Sequence, residues 1–596
     1  MRDISSPLDG IASPFGPQRT KTLTQLLFAS SEPGFTFEPW DITTLYQDRA
    51  GTTPVTAAGQ SVGLRLSKDQ GLRIGSDVVL NGDFSTNSTA NWTEAINGGT
   101  LNASTGQLVV NNTAGTGNTG VYQVRSCTAN AFMRVSVEVT ARTEARLAIF
   151  NGTLGATIYS NNALPVGTST FIVGPMLSGT FTVYIHCSAG NTATFDNISV
   201  RELAGNHEVA VSDAKRGVYG WMPKTGKRNL LTYTEQFDNA AWVKTAASVP
   251  ATNGTAPDGT ATADTLREDG TNNTHVAQQN PSASALTAYT ISIYFKREAG
   301  TRNAYIQVNN NITGTGGACF AWFDLTGSGT ASSVTDLVPG FTSTGASITS
   351  VGSGWYRCAI RLTTISGTTS LGVYLGAYNA ARSYTGDGTS GILIWGAQLE
   401  TGSTATAYQR VVSQYDITEA GVPTCYYVQA DGVDDAYVTP TITPGTDKAQ
   451  VFVGVRKLSD ALAMVVESSA DFTLNNGTIA FYTFTDFRFG SKGTSSQVAL
   501  GGPSAPSTCV ATGIGDVSGD SAILRLNGAQ TNQNTGDQGT GNFLAYPAYI
   551  YGRAGTSFPF NGLDFGHAVR FGPNLDAATI ARVESLIARN TPEVTL

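Results

Sequence analysis

The sequence is short of charge. Only 13% of its 596 residues are Asp, Glu, Lys or Arg, against roughly 25% in an average soluble protein. The 36 basic and 44 acidic residues leave a net charge of −8, so the basic surplus of a nucleic-acid binder is missing. Histidine is scarce as well. The four present, His186, His207, His275 and His567, have no partner at zincin spacing and no triad motif around them. The six cysteines, Cys127, Cys187, Cys319, Cys358, Cys425 and Cys509, form no CxxC and no metal spacing. They read as separate buried thiols of a chain made in a reducing compartment. No run of about 18 apolar residues exists, so no membrane-spanning helix is expected. No apolar stretch follows Met1-Arg2-Asp3-Ile4, so no ordinary signal peptide is read there.

Glycine and aromatic residues are abundant. There are 67 glycines and 22 prolines beside 26 phenylalanines, 22 tyrosines and 7 tryptophans. Aromatics at this density argue against disorder. The length suits three or four domains rather than one core, and the composition suits short strands joined by turns.

Residues 1–76 form a leader that opens on turn signals at Ser6-Pro7, Ser13-Pro14 and Gly16-Pro17. Thr22 to Phe28 reads as one short helix or strand. Phe35 and Phe37 would share one face of a strand. Residues 77–204 are a first strand-rich module, with period-two alternation in Phe132-Met133-Arg134-Val135-Ser136-Val137-Glu138-Val139. Residues 205–227 read as a polar linker ending in the basic residues Lys215, Arg216, Lys224, Lys227 and the adjoining Arg228. Residues 228–411 repeat the first module's plan: an opening Asn, a following tryptophan (Trp92 in one, Trp242 in the other) and an apolar closing strand. Half-buried strands in bodies of this size predict β-sandwiches. Residues 412–596 are the last domain. Asp576 is placed to cap a helix running to about Asn590, with Ile580, Val583 and Ile587 on its buried face. The fold class is therefore all-β and multidomain, serial jelly-roll sandwiches with a short C-terminal helix on the last domain.

Three segments carry a family resemblance. Ala430-Asp431-Gly432-Val433-Asp434-Asp435, Leu526-Asn527-Gly528 and the Leu575 to Ile587 stretch make the last domain resemble the concanavalin A-like (laminin-G/lectin-type) jelly rolls of phage structural proteins. Asn229-Leu230-Leu231 with Trp242, and Trp395-Gly396-Ala397-Gln398-Leu399-Glu400, resemble carbohydrate-binding-like modules of phage tail proteins. Trp40-Asp41 and Tyr46 to Val55 resemble segments that precede such modules. The resemblance implies a virion protein of the tail or head, made in the host cytoplasm and assembled as a homotrimer. Residues 1–76 would contact other virion or tail proteins. The implied function is non-enzymatic recognition of a host cell-surface glycan by a tail-fibre or receptor-binding protein. A purely structural head fibre or decoration component, and a glycan depolymerase, are the alternatives.

Residue chemistry bears on each of these. Glucanases of the resembling fold use carboxylates at short even spacing on one strand. No Glu-x-Asp-x-x-Glu run occurs in 412–596. Glu419, Glu467, Glu584 and Glu593 stand apart, and Asp434 and Asp435 are adjacent, so no enzyme is read and no catalytic residue is named. Sugars are gripped by aromatic faces plus fixed polar groups. Trp221, Trp322, Trp355 and Trp395 are candidates by residue type alone, the last two reading as core. The selected glycan-binding set is Trp92 and Trp242 after loop-like openings, with Tyr482, Phe487, Arg488, Asn527, Tyr549 and Arg553 in the last domain. If Thr485 to Phe489 is a strand, Phe487 and Phe489 lie opposite Arg488. Asp431, Asp434 and Asp435 in one glycine turn, and Asp516 and Asp520 in another, are candidate ligands of a structural calcium, the one cofactor considered. Their other role would be capping hairpin amides.

Overall fold

The computed structural model describes residues 21–250, 254–298, 300–312 and 316–596. The turn pairs Ser6-Pro7, Ser13-Pro14 and Gly16-Pro17 lie outside it. The chain is a multidomain β-sandwich protein, and strands are by far the dominant regular structure of the described residues. Among the described residues there are two α-helices, Leu23–Leu27 and Ala577–Arg589. The Asp576 side chain caps the second by accepting from the Thr579 N–H, and Ile580, Val583 and Ile587 are its buried face.

The last domain is built from three separated pieces of sequence. Its ten-stranded sheet centres on Asn561–Phe571, flanked by Thr424–Asp431 and Lys448–Lys457, and also takes in Val218–Pro223. Gly34–Phe37 pairs antiparallel with Asn561–Phe571, setting Phe35 against Val569 and Phe37 against His567. The facing nine-stranded sheet runs Leu45–Tyr46, Leu64–Arg65, Glu208–Ala210, Tyr437–Ile442 and Tyr546–Ile550, then on through Ala463–Glu467, Thr478–Thr483, Phe487–Lys492 and Ser496–Gly501. One core cluster joins Phe35, Phe37 and Leu45 to Tyr219, Val451, Phe481, Phe489 and Val569.

Two sequence expectations change accordingly. Leu23, Leu26, Leu27 and Phe28 pack with Ile580, Val583 and Ile587 of the C-terminal helix. The described part of the leader is thus largely built into the last sandwich rather than standing apart from it, although Ile74 stays exposed. Residues 205–227, read as a linker, supply the strands Glu208–Ala210 and Val218–Pro223. Its cations tie down backbone carbonyls. Lys224 Nζ donates to the carbonyls of Ala588 and Thr591, and to that of Val594 at 2.7 Å, where a cation best offsets the helix dipole. Arg228 donates to the Gln414 carbonyl at 2.6 Å.

The two middle modules interrupt this sandwich. In each, eight shared strands counted in chain order pair as 1-8-3-6 in one sheet and 2-7-4-5 in the other, which is jelly-roll order. In the first module strand 1 is Leu108–Asn111 and strand 8 Thr192–Leu203. In the second they are Asp264–Glu268 and Gly391–Thr401. Each has its own core, around Val135, Phe181 and Phe195 in one and Ile291, Val308 and Val373 in the other.

The internal repeat extends to side chains. Trp92 Nε1 donates to the Asn81 carbonyl and Trp242 Nε1 to the Tyr233 carbonyl, both at 3.0 Å. Asn81 and Tyr233 both hold left-handed backbone, at φ 50° and 51°. Beside each bend a glutamine clamps the preceding peptide. Gln123 accepts from the Leu80 N–H and donates to its carbonyl, and Gln279 does the same to Thr232. A buried donor–acceptor pair must be satisfied locally, and both modules solve this identically.

Candidate functional site

Trp92 and Trp242 are therefore not sugar platforms. They are 7% and 1% exposed, Trp92 stacked on Phe84 and Trp242 tilted against Phe237. An opening tryptophan in a loop-like segment looks exposed in sequence, but here the indole N–H is needed to satisfy the carbonyl at the bend. Phe487 is fully buried. The strand Phe487–Lys492 alternates over its first three residues, with Phe487 and Phe489 inside and Arg488 half-buried, and is buried from Phe489 to Lys492. Arg488 lies across from Tyr482, pairs with Asp486 at 2.6 Å and sits over the Phe484 ring. Tyr549 is half-buried opposite Glu467, whose carboxylate holds Arg553 at 3.2 Å; Arg553 also pairs with Asp471 at 3.1 Å. Asn527 is a turn residue at φ 47° that exchanges hydrogen bonds with the Val510 backbone. The nine-stranded sheet thus sets Tyr482 beside Arg488, and Tyr549 and Arg553 around Glu467, with their charges already paired. Phe487 and Asn527 serve the fold.

The aspartate turns separate in the same way. Oxygen atoms of Asp431, Asp434 and Asp435 lie within 4.8 Å of one another, a fit for part of a calcium oxygen shell. Asp435 is pushed up to about 6, chiefly by burial and then by Asp431 and Asp434. Asp516 instead has the Lys448 ammonium at 2.8 Å, and Asp520 accepts from the Gln538 N–H. An ammonium in the coordination position disfavours a cation there, so this turn is a salt bridge and a cap rather than a metal site.

An aromatic outer face lies on the second jelly roll, on the sheet formed by Asn303–Ile312, Ala318–Asp324, Thr368–Tyr378 and Val276–Gln279. Alternate residues of these strands, such as Ile306, Val308, Ala321, Phe323, Val373 and Leu375, fill the core. The other set stands on the outer face. There the Trp322 and Tyr378 rings lie parallel, 5.5 Å apart and tilted by 4°. Tyr305 fills the space above Gly376, where a Cβ would come within 2.4 Å of its ring. Phe320, Trp322, Tyr374 and Tyr378 are half-buried, as are Gln278, Gln307 and Asn309.

A chain of polar groups runs beside the rings. Gln307 Nε2 donates to Asn309 Oδ1 at 2.8 Å, and Asn309 Nδ2 to the Tyr374 hydroxyl at 3.2 Å. Arg382 donates to Gln307 Oε1 and lies 4.7 Å from the Phe320 centroid. Side chains that hold one another in place lose little entropy on binding. Ring faces flanked by oriented amides and a guanidinium are the elements that hold a sugar's C–H face and hydroxyls. Sequence reading named Trp322 only by type and missed the rest. The signal was present as period two in Ala318-Cys319-Phe320-Ala321-Trp322-Phe323 and in Gly372-Val373-Tyr374-Leu375-Gly376-Ala377-Tyr378.

Two His–Asp contacts occur among the described residues: His275 lies 3.7 Å from the half-exposed Asp269, and the other is sealed. His567 Nδ1 lies 2.7 Å from Asp564 and its Nε2 lies 2.9 Å from Glu208, and all three side chains are essentially inaccessible to solvent. A dyad that no substrate can reach has a structural role. All six cysteines are unpaired, and five of them are buried. No helix of the described residues is long and apolar enough to cross a membrane.

No family model matches the chain, and no curated protein matches it. Among solved structures, the tandem CBM22-1–CBM22-2 domain of Paenibacillus barcinonensis Xyn10C is similar at 13% identity, over 56% of this chain and 100% of that one, with a TM-score of 0.19. Domains LG4-5 of the mouse laminin α1 chain are similar at 12% identity, over 56% of this chain and 90% of that one, with a TM-score of 0.19. Trypanosoma rangeli sialidase in complex with the inhibitor DANA is similar at 9% identity, over 94% of this chain and 95% of that one, with a TM-score of 0.22.

Proposed function

We propose that this protein binds glycans without cleaving them, through the Trp322–Tyr378 face of the second jelly roll. The observation that carries the reading is that face itself: half-buried parallel rings on a rigid sheet, bordered by Gln307, Asn309 and Arg382. Aromatic stacking supplies most of the affinity, and the oriented amides choose among hydroxyl patterns. The finer proposal is a phage tail-fibre or receptor-binding protein that meets host surface glycans as a homotrimer. It rests on the family resemblance of Asp431 to Asp435 and of Trp395 to Glu400. Threefold repetition would turn a weak site into firm attachment.

The test is a glycan array and a host-cell adsorption assay on the full chain, with the Trp322→Ala variant beside it. Binding that falls at least about tenfold in the variant is expected. Absence of binding to any envelope glycan would sink the receptor reading, and release of oligosaccharide from a bound polymer would replace it with a depolymerase. Light scattering reads the oligomer, and a monomer at micromolar concentration counts against the trimer.

A further inference from the structure

The opposite side of the second jelly roll holds a cavity of about 530 Å³, closed on one side by Thr418, Glu419 and Ala420 of the parent sandwich. Trp395, Tyr408 and Tyr294 line it. The Trp395 and Tyr408 centroids are 4.5 Å apart at 54°, Trp395 and Tyr294 5.2 Å at 64°, and Tyr294 and Tyr408 6.3 Å at 80°. Rings at such angles make the corner of a box, not a stack. The polar edges of Trp395 and Tyr408 are already engaged. Trp395 Nε1 donates to Thr262 Oγ1 at 2.9 Å and the Tyr408 hydroxyl donates to Glu235 Oε1 at 3.0 Å. Trp395 is only 4% exposed and forms the packed floor, so the π surface that remains for a guest is that of the half-buried Tyr294 and Tyr408 rings. Arg357 lies 5.5 Å from the Tyr294 centroid but does not line the cavity.

The wall is acidic. Glu235, Asp258 and Glu419 face one lining cation, Arg410. Arg410 is 47% exposed and stands 3.9 Å from Glu235 Oε2, a loose contact that neutralises little. Asp258 Oδ1 takes both the N–H and the hydroxyl of Thr260, and Oδ2 has no such partner among the described residues. Burial pushes the Glu235 pKa up, and a cation entering beside it would draw it back down.

We propose that this cavity binds a small organic cation, an ammonium group carried on a sugar or on a choline-type scaffold. Aromatic faces attract such a charge through their quadrupoles, the more so when it is desolvated, and carboxylates at the rim neutralise it. A neutral sugar would gain the rings but not the charge. The inference does not rest on the glycan reading, because the Trp322 face lies on the other sheet. A neutral oligosaccharide saturating that face would leave this cavity free.

Calorimetry on the full chain with glucosamine, choline and N-acetylglucosamine tests it. Either ammonium compound should bind at least about tenfold more tightly than neutral N-acetylglucosamine. Glucosamine ahead of choline marks an amino-sugar site, and the reverse order a choline-type site. Glu235→Gln keeps the side chain's shape and an acceptor for Tyr408, and should weaken the cation by about tenfold. Asp258→Asn, at an exposed position, is the second variant should the first fail to fold. Equal binding of the neutral sugar, unchanged affinity in Asp258→Asn, or no binding of either cation at millimolar concentration would each overturn the proposal.

Discussion

His567 and Glu208, 359 residues apart in the chain, meet at 2.9 Å with no access to solvent. His567 also meets Asp564 at 2.7 Å, and Arg65 donates to Glu208 at 3.1 Å. Both imidazole nitrogens face carboxylates, so the ring is doubly protonated. Arg65 and His567 then balance Glu208 and Asp564. The Arg65 guanidinium lies 3.6 Å from the Tyr437 centroid and 4.3 Å from that of Phe37. This neutral knot locks together the leader, the segment between the modules and the last strand.

The knot makes stability depend on pH. Burial alone would lower the His567 pKa, but Glu208 and Asp564 outweigh it and raise it to about 9. The native state therefore holds a proton that the unfolded chain releases near pH ~6.5. This stabilisation is full below that pH and is lost as pH rises through about 9. Denaturant unfolding of the parent sandwich should weaken by roughly 3 kcal/mol across the interval. His567→Gln should flatten that slope, and a variant with the same slope would show that another group titrates.

Removing Glu208 should be worse than removing a surface acid. Glu208→Ala leaves Arg65 and His567 buried with one carboxylate between them, at a cost of about 3–5 kcal/mol. Thermal unfolding reads this. A loss below about 1 kcal/mol, the scale of an exposed pair, would mean that water enters the knot.

Asp435 should respond with the opposite benefit. Its raised pKa, about 6, means that the folded state disfavours its ionised form. Its contribution to stability falls as pH rises from ~4 through about 6. With calcium chelated, Asp435→Asn should gain roughly 2–3 kcal/mol at neutral pH and nothing below pH ~4. If the turn holds calcium, adding the ion should raise the Tm of the parent protein and not that of the variant.

The two kinds of tryptophan should separate in one experiment. Trp242→Ala removes a buried pin and should destabilise its module by about 3–5 kcal/mol. Trp322→Ala should cost roughly 1–2 kcal/mol while removing glycan binding. Binding lost in neither variant would exclude the Trp322 face.

Fragments test the nesting. Residues 412–596 expressed alone lack Gly34–Phe37, Leu64–Arg65, Glu208–Ala210 and Val218–Pro223, and should not fold. Residues 229–411 contain every strand of the second jelly roll and should fold alone. Near-ultraviolet circular dichroism distinguishes the outcomes.

Much of this molecule was legible in its sequence, because some of its physics is local. Alternation in Phe132 to Val139 fixes which side chains a strand can bury, whatever it pairs with. Asp576, Ile580, Val583 and Ile587 specify a capped amphipathic helix within about four turns. The paired openings Trp92 and Trp242 announced the module repeat, but the opening Asn81 has Tyr233 as its structural counterpart and not Asn229. The nesting was not legible. Leu64–Arg65 and Glu208–Ala210 are too short to show a period, and their partners lie far away in the chain. Nor could sequence separate Trp242 from Trp322, since exposure depends on which carbonyl needs an indole N–H and which face of a sheet is left uncovered. Local pattern determined the strands. Long-range pairing and the burial of charge decided which segments form one domain, and which rings remain free to meet a ligand.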